Sequence, residues 1–169
     1  MKRHKDYTIP YTGLKIGRHE FEFKLGNSFF EQFEYSEIGD CDIFIDVTLE
    51  KQATMLVLDF DIEGVIVTLC DRCQEPIEVD IEATEQLIVK FGDYTGSIED
   101  EILVHGPGEH ELNLAPYFYE YAHLAMPPKR VHDSMDQCNQ DVIAYLSGTD
   151  DDGDDDDVDP RWEKLKDLK

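Results

Sequence analysis

Long apolar runs are what this 169-residue sequence most clearly lacks. No stretch of about 18 consecutive apolar residues occurs, which is the length that a membrane-spanning helix requires. The basic N-terminal segment "MKRHKDYTIPYTGLKIG" is not followed by an apolar core, so no secretory signal is predicted. We therefore expect a cytoplasmic protein, in whose reducing surroundings closely spaced cysteines more often bind metal or undergo redox chemistry than form structural disulfides.

Basic residues are also scarce. The sequence holds 15 Lys and Arg against 39 Asp and Glu, and residues 1–146 alone carry 29 acidic and 11 basic side chains, a net charge of −18. Affinity for nucleic acid rests largely on Lys and Arg that neutralise phosphates, so direct contact with RNA or DNA is not expected. The charge favours basic proteins as partners, including proteins that themselves bind RNA, unless the acidity serves only solubility.

Recognisable catalytic motifs are missing as well. The sequence contains no G-x-S-x-G, P-loop, G-x-G-x-x-G or H-E-x-x-H segment, and its six histidines are scattered. His123 lies among apolar residues of a predicted helix, which is typical of a core histidine with one hydrogen bond. We therefore expect a protein that is not an enzyme and has no catalytic residues. A metal-dependent ribonuclease remains the less favoured alternative, because no active site for it can be identified.

Alternating apolar and polar residues predict a β-rich body. Strands are expected in residues 18–25, 41–52, 53–70, 76–92 and 99–114. The segment 53–70 is interpreted as two strands with a turn near Glu63 and Gly64, and the last segment as two short strands joined by a Gly-Pro-Gly turn. Because local turns rather than long helices connect the strands, the predicted fold class is α+β, with a mostly antiparallel sheet that is open or barrel-like and short helices in the C-terminal third.

Three short helices are predicted. Ser28 and Glu31 have the spacing of a capping box at the start of the first helix. Asn113 is the expected cap of the second helix, which must end before the proline pair at 127–128. Asn139 is the expected cap of the third helix, which is predicted to stop near Gly148.

The predicted domain organisation has three parts. Residues 1–146 form a single α+β domain, residues 147–159 an acidic disordered linker, and residues 160–169 a short amphipathic helix that contains Trp162. So short a helix is not stable alone, so it either packs on the body or awaits a partner. The basic island Lys129–Arg130 and Trp162 are predicted partner-binding residues, although Lys and Arg are also common after helix C-termini.

A C-x-x-C motif in "VTLCDRCQEPIEVDI" is the most informative local pattern. Cys70 and Cys73 can supply two ligands of a tetrahedral metal ion, and "VHDSMDQC" offers His132 and Cys138 as the other two. This set predicts a Cys3His zinc site, with no other cofactor. One alternative is that the pair only marks a hairpin corner. A redox dithiol is less favoured because a strand, not a helix, follows the motif.

Several segments together resemble one known family. The segments "IPYTGLKIGRHEFEFKLGNSFFEQFEYSEI", the central C-x-x-C, "LAPYFYEYAHLAMPPKRVH" with a later cysteine, and "DPRWEKLKDLK" occur in this order. They resemble the YceD family of large ribosomal RNA subunit accumulation proteins, in particular its Bacteroidetes-type members. Many members carry a further cysteine cluster near the C-terminus, whereas this sequence has only His132 and Cys138 there.

The resemblance implies a role in ribosome biogenesis. Family members are linked to accumulation of the large-subunit ribosomal RNA, and their genes often neighbour that of a zinc-ribbon ribosomal protein. The family has no established catalytic residues to transfer. The expected function is therefore a non-catalytic factor that supports large-subunit ribosomal RNA accumulation through contacts with basic ribosomal proteins or assembly factors. The alternative is a zinc carrier or zinc-binding accessory protein for a zinc-ribbon ribosomal protein.

Overall fold

The structure is a computed structural model that describes residues 7–92, 103–106 and 108–148. The predicted acidic linker and the predicted terminal helix with Trp162 lie outside these residues. None of the helices in the described ranges is long and apolar enough to cross a membrane. The elements in chain order are β1 (Thr8–Ile9), β2 (Gly17–Gly26), α1 (Asn27–Phe30), β3 (Cys41–Lys51), β4 (Met55–Leu69), β5 (Pro76–Phe91), β6 (Leu103–His105), β7 (Leu112–Asn113), α2 (Ala115–Leu124) and α3 (Gln140–Gly148).

A five-stranded sheet forms the body of the molecule and confirms the α+β prediction. Its strand order is β2-β3-β4-β5-β6, with antiparallel pairing from β2 to β5 and a parallel pair of β5 with β6. The strands β1 and β7 form a separate antiparallel pair. Within the described ranges the sheet is open, with β2 and β6 at its edges, so the barrel-like form is not adopted.

The two faces of the sheet differ in polarity because side chains alternate along each strand. On the inner face, apolar side chains such as Ile45, Leu58 and Phe60 are almost fully buried. Phe118 of α2 packs over them, with its ring centroid 6.1 Å from that of Phe60 and 4.9 Å from that of Phe23. The main hydrophobic core therefore lies between the inner face of the sheet and the helices α1 and α2.

One strand differs from the sequence prediction. Residues 53–70 were expected to form two strands, but β4 is continuous through Glu63 and Gly64. A Cβ atom on Gly64 would lie 2.5 Å from the carbonyl oxygen of Asp42 and 2.7 Å from the Cα of Ile43. This glycine permits a close approach of β3 to β4 within the sheet rather than a turn.

The helix predictions are confirmed in position and corrected in detail. The first helix is a single turn whose N-cap is Gly26, so Ser28 and Glu31 do not form the predicted capping box. For α2, the side-chain oxygen of Asn113 accepts a hydrogen bond from the backbone N–H of Ala115, although the N-cap position belongs to the next residue. The cap of α3 is the predicted Asn139, whose side-chain oxygen accepts a hydrogen bond from the backbone N–H of Asp141.

Candidate metal centre

The first two cysteines lie at the hairpin between β4 and β5. Cys70 follows the last residue of β4, and its backbone N–H donates to the carbonyl of Glu75 at 2.8 Å. The backbone N–H of Gln74 donates back to the carbonyl of Cys70 at 2.9 Å, and Gln74 adopts a positive φ of 61°. These bonds close a tight turn that places Cys70 and Cys73 close together.

The other two residues come from the chain segment between α2 and α3. His132 and Cys138 flank a 3-10 turn at Met135–Gln137. The segment is attached to the hairpin by two hydrogen bonds, since Asp71 N–H donates to the carbonyl of Arg130 and Arg130 N–H donates to the Asp71 carboxylate, both at 2.7 Å. These bonds help to bring together the predicted ligands, which lie some sixty residues apart in sequence.

The four predicted ligands form one compact cluster. Their Sγ and imidazole nitrogen atoms all lie within 4.8 Å of one another. His132 Nδ1 lies 3.6 Å from the Sγ atoms of both Cys73 and Cys138. A tetrahedral ion with Zn–S of about 2.3 Å and Zn–N of about 2.0 Å would hold sulfur and nitrogen about 3.5 Å apart. The observed spacing therefore fits a metal ion, and among the described residues this is the one such cluster.

The cluster is also a small core of its own. Cys70 is fully buried, Cys73 and Cys138 are 4% exposed, and Ile77 is the one other buried residue in this group. Partly buried valine and isoleucine side chains surround it, among them Val142 and Ile143 of α3. Burial of three thiols with so little apolar surface around them is typical of a structural metal site, in which metal coordination supplies much of the folding energy.

The electrostatics of the thiols favour a shared cation. Burial raises the pKa of Cys70, but hydrogen bonds from the backbone groups of Cys73, Arg72 and His132 and from the His132 ring outweigh it and lower the pKa to about 6. Burial and the neighbouring Cys73 and Cys70 raise the pKa of Cys138. One thiolate is thus stabilised by the fold, whereas ionisation of a further thiol requires a positive charge among the sulfurs.

Arg72 supplies part of that charge and was not singled out in the sequence. Its side chain hydrogen-bonds to Cys138 and opposes the rise of that thiol's pKa. Its Nη1 atom is buried without a partner in the described part of the chain. Nothing in the sequence pattern distinguishes this arginine from a solvent-exposed turn residue between two cysteines.

The predicted partner-binding residues Lys129 and Arg130 do not share one environment. Lys129 is exposed, whereas the Arg130 guanidinium lies 3.4 Å from the Glu37 carboxylate and 3.7 Å from that of Asp71. Arg130 therefore helps to hold the ligand-bearing segment on the body. Cys41, which lies outside the cluster, is half-buried, and burial together with Asp42 and Asp40 raises its pKa to about 11.

A second polar group joins the N-terminal segment to the loop after β6. The Tyr11 hydroxyl donates to the carbonyl of Glu109 at 2.7 Å and lies 3.1 Å from His105 Nδ1. The Glu109 carboxylate lies 3.0 Å from the same nitrogen, and Lys51 Nζ donates to the carbonyls of Tyr11 and Leu14. These contacts hold the two segments together over 94 residues of sequence, a separation that no local pattern could reveal.

Comparison with known protein families gives a match that covers more than half of the chain. A family model described as "Large ribosomal RNA subunit accumulation protein YceD" matches residues 58–169, a range that contains all four residues of the cluster. No curated protein and no solved structure shows a significant match to the chain.

Proposed function

The chain belongs to the YceD family, and we propose that it is a non-catalytic cytoplasmic factor that supports accumulation of the large-subunit ribosomal RNA through protein–protein contacts. The family match is the observation that carries this proposal. The charge of the chain supports it, since a net charge of −24 disfavours phosphate contacts and favours basic partners such as ribosomal proteins.

Zinc is the proposed ion of the cysteine cluster. Three sulfurs and one imidazole nitrogen form a closed four-ligand set, which zinc binds tetrahedrally with no position left for a substrate. Cys70, Cys73, His132 and Cys138 would hold the ion and thereby fix residues 130–148 on the β4–β5 hairpin. The role of the ion is structural, and no catalytic step is assigned to it.

A zinc carrier is the second candidate, and burial of the cluster argues against it. Transfer of an ion to another protein requires accessible ligands, whereas the three cysteines here are at most 4% exposed. A chelator assay separates the two roles. A structural ion should exchange with a chromogenic chelator over hours at neutral pH, and exchange within seconds would instead support a carrier.

A depletion experiment tests the proposed function directly. Cells that lack the protein should accumulate less large-subunit ribosomal RNA relative to small-subunit RNA, and a plasmid copy of the wild-type chain should restore the ratio. An unchanged ratio in depleted cells would overturn the proposal.

Pull-downs from growing cells, with and without ribonuclease, test the mode of action. The proposal expects large-subunit ribosomal proteins to remain bound after ribonuclease treatment. Loss of all ribosomal components after treatment would mean that RNA itself is contacted. In that case the exposed Lys129 would be the first residue to substitute.

A further inference from the structure

The outer face of the sheet is a broad surface that the rest of the described chain leaves uncovered. Side chains that alternate with the core residues of β2 to β5 are exposed, among them Asp46 and Asp61. The helices α1 and α2 contribute their buried residues to the core on the opposite face. None of the described segments therefore occupies the outer face of the sheet.

Carboxylates on this face stand directly opposite one another. Glu22, Asp46 and Asp61 are successive register partners across β2, β3 and β4, and Glu63 is the partner of Glu82 across β4 and β5. Among the described residues no cation pairs with any of these five. Like charges placed directly opposite in a sheet destabilise it. The arrangement is thus unfavourable for the isolated sheet.

An aromatic ring lies among these carboxylates. Phe44 is 51% exposed and is the direct register partner of Glu63. It lines a cleft of about 590 Å³ together with the side chains of Glu63, Val65, Asp80 and Glu82. The face is therefore not a uniform layer of charge, since exposed apolar side chains lie beside the carboxylates in this cleft.

The chain itself shows which chemical group suits this surface. Lys24 Nζ lies 4.7 Å from the centroid of the Phe44 ring and 2.7 Å from an oxygen of Asp42. An ammonium group is thus held between an aromatic face and a carboxylate, a combination that recognises cations. A guanidinium group suits the adjoining cleft equally well, because it can stack on a ring and bind a carboxylate with two hydrogen bonds.

We propose that the outer face of β2–β5 binds an arginine-rich segment of a basic protein, and that the cleft beside Phe44 receives one arginine side chain. This inference rests on the proposed function and names the surface for its basic partner. A divalent cation is the poorer occupant, because these carboxylates do not converge on one point as the cysteine cluster does. RNA is disfavoured because the same face repels phosphate.

The test uses the full-length protein and a short fluorescent peptide of alternating arginine and glycine. Its binding is followed by fluorescence anisotropy at low salt and again at physiological salt. Wild-type protein should bind the peptide, with affinity that falls as salt rises. No binding to the arginine peptide at low salt, or tighter binding of an RNA oligonucleotide than of the peptide, would overturn the proposal.

Charge-neutralised variants locate the binding surface. The double variant Glu63→Gln/Glu82→Gln should weaken peptide binding about tenfold, in line with loss of two interfacial charge contacts. Its thermal stability should stay equal or rise, because a like-charge pair is relieved. The control Glu111→Gln/Glu120→Gln removes the same charge from exposed positions outside this sheet face and should change binding less than twofold. Equal weakening in both variants would overturn the assignment to this face.

The aromatic contribution is tested separately with Phe44→Leu. This variant should weaken binding of the arginine peptide by about twofold to fivefold, the range expected for one exposed cation–π contact. Unchanged binding would exclude the cleft as an arginine site. A further measurement separates this inference from the proposed function: if Glu63→Gln/Glu82→Gln loses peptide binding yet fully restores ribosomal RNA in depleted cells, the surface is not the functional one although the family role stands.

Discussion

The sheet core and the cysteine cluster are held together by different physical means. The sheet core buries two dozen residues, nearly all of them apolar, from β1 to α2. The cluster buries four residues, of which three are cysteines and the fourth is Ile77. Burial of apolar side chains contributes roughly 1.5–3 kcal/mol each, so packing is the main stabilising contribution in the sheet core. The cluster lacks such burial, and we therefore propose that it depends on metal coordination.

Metal removal is expected to loosen the cysteine cluster and to leave the sheet core intact. Chelation, or the double variant Cys70→Ser/Cys73→Ser, should abolish the apparent metal-binding energy, which is about 10 kcal/mol or more in small zinc modules. Hydrogen exchange should then become fast in residues 130–148 and stay slow in β3 and β4. Global unfolding of the sheet on metal removal would show that the two regions are not separable.

A large-to-small substitution in the sheet core should destabilise the sheet. Phe118 is fully buried and its ring contacts those of Phe23 and Phe60, so Phe118→Ala should lower the free energy of unfolding by about 3–5 kcal/mol. Denaturant titration followed by circular dichroism measures the change. Met135→Ala is the control, since that side chain is 60% exposed and its loss should have little effect. Equal effects of the two substitutions would contradict the assigned core.

Substitutions of two glycines test the close approach of β3 to β4. Gly64→Ala should destabilise the protein by about 1–3 kcal/mol, because the added Cβ would overlap the backbone of β3. Gly39→Ala is the matched control, since its Cβ would meet the nearest atom at an ordinary 3.7 Å. Thermal melting should separate the two variants, and both should keep their metal. A Gly64→Ala variant as stable as wild type would contradict the close approach of β3 to β4.

The last prediction concerns the reactivity of the one cysteine outside the cluster, where no change in stability is expected. The pKa of Cys41 is raised to about 11, so at pH 8 its iodoacetamide reaction should be about a hundredfold slower than that of an ordinary thiol with a pKa near 9. Its rate should rise with pH until the thiol ionises near pH 11. Peptide mass spectrometry after timed alkylation measures this. Fast labelling at pH 8 would contradict the raised pKa.

Sequence patterns were sufficient where the signal is local or chemically distinctive. The Asn139 cap, the long alternation of β5 and the C-x-x-C turn are each specified by neighbouring residues. The pairing of that turn with His132 and Cys138 was also predictable, because few residue types bind zinc. That the four residues meet is confirmed by the structure, whereas zinc binding itself stays a prediction.

The remaining features depend on long-range contacts that no local pattern encodes. Gly64 suggested a turn because glycine is common in turns, but here the nearby backbone of β3 requires it. Gly26 rather than Ser28 caps α1, since β2 extends to the residue before the helix. The carboxylates that stand opposite one another on the outer face of the sheet could be identified only from the register of the strands.

Native mass spectrometry of the full-length protein as purified tests the central claim most directly. The account predicts one zinc ion per wild-type chain, one zinc ion in the control variant Cys41→Ser, and none in Cys70→Ser/Cys73→Ser. Stoichiometric zinc in the double variant, or a wild-type chain that stays metal-free after incubation with zinc under reducing conditions, would contradict the claim that a metal ion holds the C-terminal segment on the sheet.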